Sequence, residues 1–295
     1  MELLKFLESI RTPFLDAVLG LISRLGEETV GLVILCLIFW CISKQIAYCV
    51  GISFFLAGLT VQGMKICFRI PRPWIIDTSL NPVPSALKHA TGYSFPSGHT
   101  QNVAAVFGSL GAQIKQIPVK TVCFLLVFLV AFSRMYLGVH TLLDVSVSLL
   151  ITLLLVLVTV KFIVCDTVNK KRELTLTIFM MLYAVAVLII SSILYTGGKI
   201  EQSNLSDCLK AAGAGIGFAA GMYIERVYIN FSVGSKNVFW QVLKFILGIA
   251  GILIIKEGIK LIAGSSLVVD AARYFLLLQW VTVFFPLIIK RFFRG

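Results

Sequence analysis

Residues 141–164 read TLLDVSVSLLITLLLVLVTVKFIV. This is an almost continuous apolar run, with Asp144 at its start and Lys161 near its close. A helix needs about 20 apolar residues to cross a bilayer core, so the run reads as a membrane span. Comparable runs cover residues 46–67, 119–137, 174–195, 238–256 and 268–289. Shorter candidates lie at 30–42, at 98–112 and in a glycine-bearing stretch at 208–224. The fold class expected from this pattern is all-α, a polytopic transmembrane helical bundle of about nine spans. Outer-membrane barrels are excluded, because their strands alternate in short segments.

The composition agrees. Hydrophobic residues make up 58% of the 295 residues and charged residues only 14%, too few for a soluble domain of this length. The net charge of +12 invites a nucleic-acid reading. Yet the basic residues fall mostly in short connections between spans, where the positive-inside rule accounts for them. No nucleic-acid partner is expected. The seven cysteines lie mostly inside apolar runs, show no metal-ligand spacing and are odd in number, so no disulfide framework is expected.

Residues 2–24 read as amphipathic helix lying at the interface, with Leu3, Leu4, Phe6, Leu7 and Ile10 on one face. Glu2, Lys5, Glu8, Arg11 and Asp16 interrupt it, which argues against a cleavable signal. Thr12-Pro13 reads as a cap with proline at the first helical position. Gly213, Gly217 and Gly221 recur every fourth residue and predict close helix packing.

Lys44, Lys115, Lys120, Lys170, Lys171, Arg172, Arg226, Lys236, Lys290, Arg291 and Arg294 fall on one side if the spans alternate. That side is expected to be cytoplasmic. The proline-rich segment 69–95, the turn before His140 and the N-terminal helix then face outward.

Three polar clusters sit at the outward ends of spans. His140 and Asp144 are four apart, hence on one helix face. A carboxylate beside imidazole sets its tautomer and supports imidazolium, and an aspartate entering a span needs such a partner. The plainer alternative is a buried pair that only joins two helices. Pro96-Ser97-Gly98-His99 opens a span. Free backbone N–H groups at a helix start, a serine hydroxyl and a glycine that admits close approach make an anion site, with His99 placed to protonate a leaving oxygen. An ordinary N-cap is the alternative. Lys65, Arg72 and Arg134 lie near the same membrane face. Snorkelling toward headgroups explains each alone, whereas together they suit a phosphoryl group. The set lacks the carboxylates that a catalytic magnesium would need, so no metal and no cofactor is expected.

These clusters resemble the three-part motif of the type-2 phosphatidic acid phosphatase superfamily, which includes lipid phosphate phosphatases, glucose-6-phosphatase and the vanadium haloperoxidases. The first part, lysine, six residues, arginine, proline, matches Lys65 to Arg72-Pro73. The second, Pro-Ser-Gly-His, is intact at Pro96 to His99. The third, Ser-Arg, five residues, His, three residues, Asp, matches Ser133, Arg134, His140 and Asp144. The resemblance covers about residues 60–150.

It does not extend to the last three spans, and the division expected along the chain is an interfacial helix over 1–28, a phosphatase transmembrane core over 29–197 and extra transmembrane helices over 198–295. The resemblance implies that His140 attacks phosphorus, that Asp144 orients it and that His99 serves the leaving group and then water. Lys65, Arg72, Arg134, Ser97 and the Gly98 amide would hold phosphate oxygens. His89 lies outside the motifs and reads as a loop residue. The expected activity is hydrolysis of a lipid phosphate or pyrophosphate in the cell membrane, with the site extracytoplasmic. Undecaprenyl pyrophosphate, phosphatidylglycerophosphate, phosphatidate and a sphingoid-base phosphate are candidate substrates. A lipid-to-lipid phosphotransferase, and a lipid-binding or transport protein with a vestigial site, are the alternatives. Lys256, Glu257, Lys260, Asp270 and Arg273 read as interfacial ion pairs or as a headgroup or partner site. The oligomeric state is not legible.

Overall fold

The computed structural model describes residues 1–88, 90–163, 168–234, 237–264 and 266–293. His89, Cys165, Lys236 and Arg294 lie outside the described residues. The described chain is helical and contains no strand.

Among the described residues, six helices are long and apolar enough to cross a membrane by length and composition, and a bent pair would make a seventh. The expected count of about nine is not reached. Helix Glu28–Ile42 spans roughly 22 Å and the 98–113 helix roughly 24 Å, both short of a bilayer core of about 30 Å. The 202–229 helix is longer, but it carries Asp207, Lys210, Glu225 and Arg226 among glycines and alanines. Helices Pro13–Arg24 and Glu28–Ile42 form the bent pair, at 51°.

Helix Lys44–Phe68 is the central post. It packs against the 98–113 helix, Leu142–Val158, Lys170–Thr196 and Gln202–Ile224. One hydrophobic cluster runs from Leu35 to Ile289, so the C-terminal helices share this core. The expected glycine face is present. A Cβ on Gly213 would meet the Ala271 backbone, and one on Gly217 would stand 2.7 Å from the Phe275 carbonyl oxygen. Backbone therefore meets backbone along helix Leu267–Phe292, and Gln279 Nε2 donates to the Gly217 carbonyl at 2.7 Å.

The N-terminal segment is two helices, Glu2–Ser9 and Pro13–Arg24. Thr12 Oγ1 accepts from the Leu15 N–H at 3.2 Å, and Pro13 opens the second helix, as the sequence predicts. Leu4 and Leu7 are buried beside Leu80, Ala131 and Met135, while Phe6 and Ile10 remain exposed. Lys5 pairs with Asp77 at 2.9 Å, and Arg11 donates to the Tyr136 carbonyl at 2.9 Å. These contacts place the segment over the Tyr136 end of the Ile117–Tyr136 helix.

Lys44 and Lys65 stand at opposite ends of one helix, roughly 31 Å apart along its axis. Around Lys44 gather Glu225 at 3.0 Å and Asn230 at 2.8 Å. Arg226 and Arg172 share Glu173 nearby, at 3.0 and 3.1 Å. Around Lys65 gather the candidate catalytic residues. The two polar ends are thus about one bilayer core apart.

Candidate active site

Each functional side chain is placed by a helix end or a turn. Lys65 lies in the last turn of Lys44–Phe68, and Arg69 then closes that helix in a left-handed conformation, φ 51°. The chain leaves the helix axis there and returns at Arg72, which is 4% exposed. Arg72 is held on three sides. Its Nε donates to the Gly92 carbonyl at 3.0 Å, and its Nη2 to the Thr91 carbonyl at 2.6 Å. Its Nη1 donates to the Val139 carbonyl at 3.0 Å and contacts His140 Nε2 at 2.9 Å.

That last contact decides a tautomer. Arginine has donors only, so Nε2 of His140 must accept. A neutral ring then carries its proton on Nδ1. Nδ1 stands 3.4 Å from Oδ2 of Asp144, within ion-pair reach though off hydrogen-bond alignment. Asp144 is fixed by other donors: Ser94 Oγ at 2.6 Å and the Thr141 N–H at 2.7 Å, both on Oδ2. Thr141 Oγ1 accepts from the Asp144 N–H in return, closing a capping box at the start of Leu142–Val158. The carboxylate thus orients the ring and caps the helix below it. Burial disfavours the charged imidazolium of His140, and Arg72, Arg134 and Lys65 add to this, so its pKa lies well below the ordinary histidine value. The resting ring is neutral, with the Nε2 lone pair facing the site.

Lys65, Arg72, Gly98, His99 and His140 share the wall of one cavity of about 240 Å³. Gly98 leaves open space beside Lys65, since a Cβ there would still lie 3.9 Å from the lysine Nζ. His99 also lines a second cavity, of about 410 Å³, together with Arg134, Ser23, Arg24 and Glu27. Arg134 Nη1 donates to Ser23 Oγ at 2.6 Å. Its Nε and Nη2 are buried and meet no acceptor among the described residues. Two unmet guanidinium donors beside a histidine are a ready cradle for an anion's oxygens.

Ser97 does not join them. Its Oγ accepts from the Thr100 N–H at 3.4 Å and from Thr100 Oγ1 at 3.0 Å, and its side chain lines neither cavity. It acts as the N-cap that starts the 98–113 helix. Its backbone is clamped as well: the Ser97 N–H donates to the Asp144 carbonyl, and Ser148 Oγ donates to the Ser97 carbonyl. The two histidine-bearing segments are therefore tied together directly.

Several residues at the site were not singled out in the sequence. Thr141 stands three before Asp144, which is capping-box spacing and was legible. Gly26 packs on His99 so closely that a Cβ there would lie 2.6 Å from the His99 carbonyl oxygen, and no sequence signal marks it. Asp207 and Lys210 reach the His140 cavity from the 202–229 helix, and Glu28 reaches it from the N-terminal side.

Residues 46–167 match the family model described as the PAP2 superfamily, and residues 209–294 match the one described as PAP2 superfamily phosphatase, transmembrane extension. A probable sphingosine-1-phosphate phosphatase of Dictyostelium discoideum is 28% identical over 169 residues, covering 52% of this chain and 40% of that protein. The chain thus spans less than half of that relative. Phosphatidylglycerophosphatase B of Bacillus subtilis is 27% identical over 154 residues, covering 46% of this chain and 69% of that protein. The crystal structure of Aquifex aeolicus LpxE superposes with a TM-score of 0.50 at 28% identity, covering 55% of this chain and 94% of the other.

Proposed function

We propose that this chain, which belongs to the PAP2 superfamily, hydrolyses a lipid phosphate or pyrophosphate through a phosphohistidine formed on His140. One observation carries the reading: Arg72 holds the Nε2 lone pair of a buried, neutral His140 toward the cavity, with Asp144 behind the ring. A neutral imidazole with a supported Nδ1–H is a competent nucleophile toward phosphorus.

In the first step Nε2 bonds to phosphorus, and the bond to the lipid oxygen breaks. His99 relays the acidic proton of the incoming phosphate monoanion to that oxygen, so a lipid alcohol (or the shorter lipid phosphate) departs. Charge on the transferring phosphoryl oxygens is met by Lys65, the Gly98 amide and the two unmet donors of Arg134. Arg72 shares this task once phosphate displaces His140 from its Nη1. In the second step His99 takes a proton from water, whose oxygen attacks phosphorus. The P–N bond breaks, its electron pair returns to Nε2 and orthophosphate leaves. The Nδ1 proton stays beside Asp144 throughout.

The relatives' lipid substrates and the apolar setting support a lipid substrate. The basic cluster around Lys44, at the end opposite the site, supports an extracytoplasmic active site in the cell membrane. The test is phosphate release from a panel of lipid phosphates by the purified protein, alongside His140→Ala. The variant is expected to remain folded and to release none. Release at the wild-type rate by His140→Ala would overturn the mechanism.

A further inference from the structure

The cavity that holds His140 does not end at the phosphate site. Glu28 stands on its wall and also on the wall of a separate groove of about 140 Å³. Three helices form this groove: Glu28–Ile42, Val238–Ala263 and Leu267–Phe292. Glu28 is an electrostatic neighbour of Asp207 and Lys210, which line the catalytic cavity, and of Lys256, which lines the groove. The two spaces therefore share this carboxylate as a common wall.

The groove is graded along its length. Its mouth carries Glu28, Thr29, Lys256 and Tyr274. Its depth is apolar, ending at Cys36, Ile249 and Val281. From Glu28 to Cys36 is eight residues of helix, roughly 12 Å. It runs from the site end of the bundle toward the membrane interior, along helix Val238–Ala263, most of whose apolar side chains are exposed. A polar mouth that shares Glu28 with the wall of the phosphate cavity, above an apolar slot that descends along the spans, matches one ligand chemistry. That ligand is an amphiphile with phosphate at its head and a hydrocarbon tail.

We infer that this groove binds the apolar tail of the substrate whose phosphate reacts at His140. The C-terminal helices thereby have a task in substrate selection. They make two walls of the tail site, and the 202–229 helix brings Asp207 and Lys210 to the head site. The inference rests on the lipid phosphatase reading above.

The test compares hexadecyl phosphate with butyl phosphate in detergent micelles. Both present the same monoester to His140, and only the longer tail reaches the depth of the groove. Leu253→Trp and Val33→Trp fill the groove from opposite walls, at positions 54% and 38% exposed, where the larger ring does not disturb the core. Displacing about two methylenes of tail from apolar contact is expected to raise KM for hexadecyl phosphate about tenfold relative to butyl phosphate. Leu182→Trp, exposed on the Lys170–Thr196 helix away from the groove, is expected to leave that ratio unchanged. An unchanged ratio in both groove variants overturns the tail site while leaving the phosphatase reading intact. A wild-type protein inactive on both esters overturns the phosphatase reading and the tail site with it.

Discussion

Arg72 Nη1 donates to Nε2 of His140 across 2.9 Å, so the guanidinium lies along the direction of that nitrogen's lone pair. The same guanidinium is bonded to the carbonyls of Thr91, Gly92 and Val139. It tethers the loop before the 98–113 helix to the His140 turn and holds the ring nitrogen. Phosphate binding exchanges one neutral acceptor, the ring nitrogen, for a charged oxygen, which favours the exchange.

Arg72→Lys follows directly. A lysine keeps the charge but cannot span three carbonyls and a ring nitrogen with one ammonium. The expected loss in kcat/KM is about 10²–10³. Steady-state kinetics on a lipid phosphate check it, and a near-normal kcat/KM would show that charge alone suffices.

Asp144→Asn removes the carboxylate that faces Nδ1 and weakens the acceptor used by Ser94 and Thr141. By analogy with an aspartate behind a catalytic histidine, kcat is expected to fall by about 10³–10⁴. Ser94→Ala leaves the carboxylate in place and removes one of its donors, so a milder loss of about tenfold is expected. The two kcat values, measured side by side, separate support of the ring from fixing of the carboxylate.

His99→Asn separates the two chemical steps. With a phosphate ester whose leaving group needs no protonation, phosphorylation of His140 is expected to proceed while attack by water slows. Acid-labile, alkali-stable phosphate should accumulate on the variant, and double substitution with His140→Ala should abolish it. No accumulation in the single variant counts against His99 as the base.

His140 also sets a pH dependence of stability. Its folded pKa is held well below the value near 6.5 that it recovers on unfolding. Below about pH 6.5 the unfolded chain binds a proton that the folded chain refuses, so stability falls as pH falls. Above that pH both states are neutral and the contribution is flat. Thermal unfolding in detergent between about pH 7.5 and about pH 5 should show a smaller acid-induced drop in Tm for His140→Asn than for the parent.

Gly217→Val tests the helix contact behind the head site. A Cβ at this position would lie 2.7 Å from the Phe275 carbonyl oxygen and 3.0 Å from its Cα, neither of which yields easily. The expected cost is about 1–3 kcal/mol or more, read as a lowered Tm. Gly258→Val, where nothing lies within 4 Å, is the matched control.

Much was legible because it is local. Hydropathy alone marks the long helices, and the spacing of His140 and Asp144 places them on one face whatever surrounds them. Thr12-Pro13 and the every-fourth glycines announce a cap and a close helix contact for the same reason: each depends on neighbours within a turn or two. The three clusters could be named as one site through their resemblance to a known pattern. Their convergence was not visible in any single stretch.

What the chain folded into decided the rest. Ser97 had two readings, anion ligand or cap, and Thr100 takes its hydroxyl for the cap. Arg72 read as a phosphate clamp, yet it also grips Nε2 of His140. The count of about nine spans is not reached: among the described residues six helices, or seven with the bent pair, are long and apolar enough to cross, and the shorter 98–113 helix is sheltered inside the bundle. Glu28, Asp207 and Lys256 come from segments far apart in sequence and meet only through packing. By itself, the order of residues determined the chemistry on offer: a histidine with a carboxylate, a second histidine at a helix start, and three cations at one membrane face. Tertiary packing alone decided which nitrogen of His140 faces Arg72 and which helices wall the groove beside Glu28, because both depend on which distant side chains fill the space around His140 and Glu28.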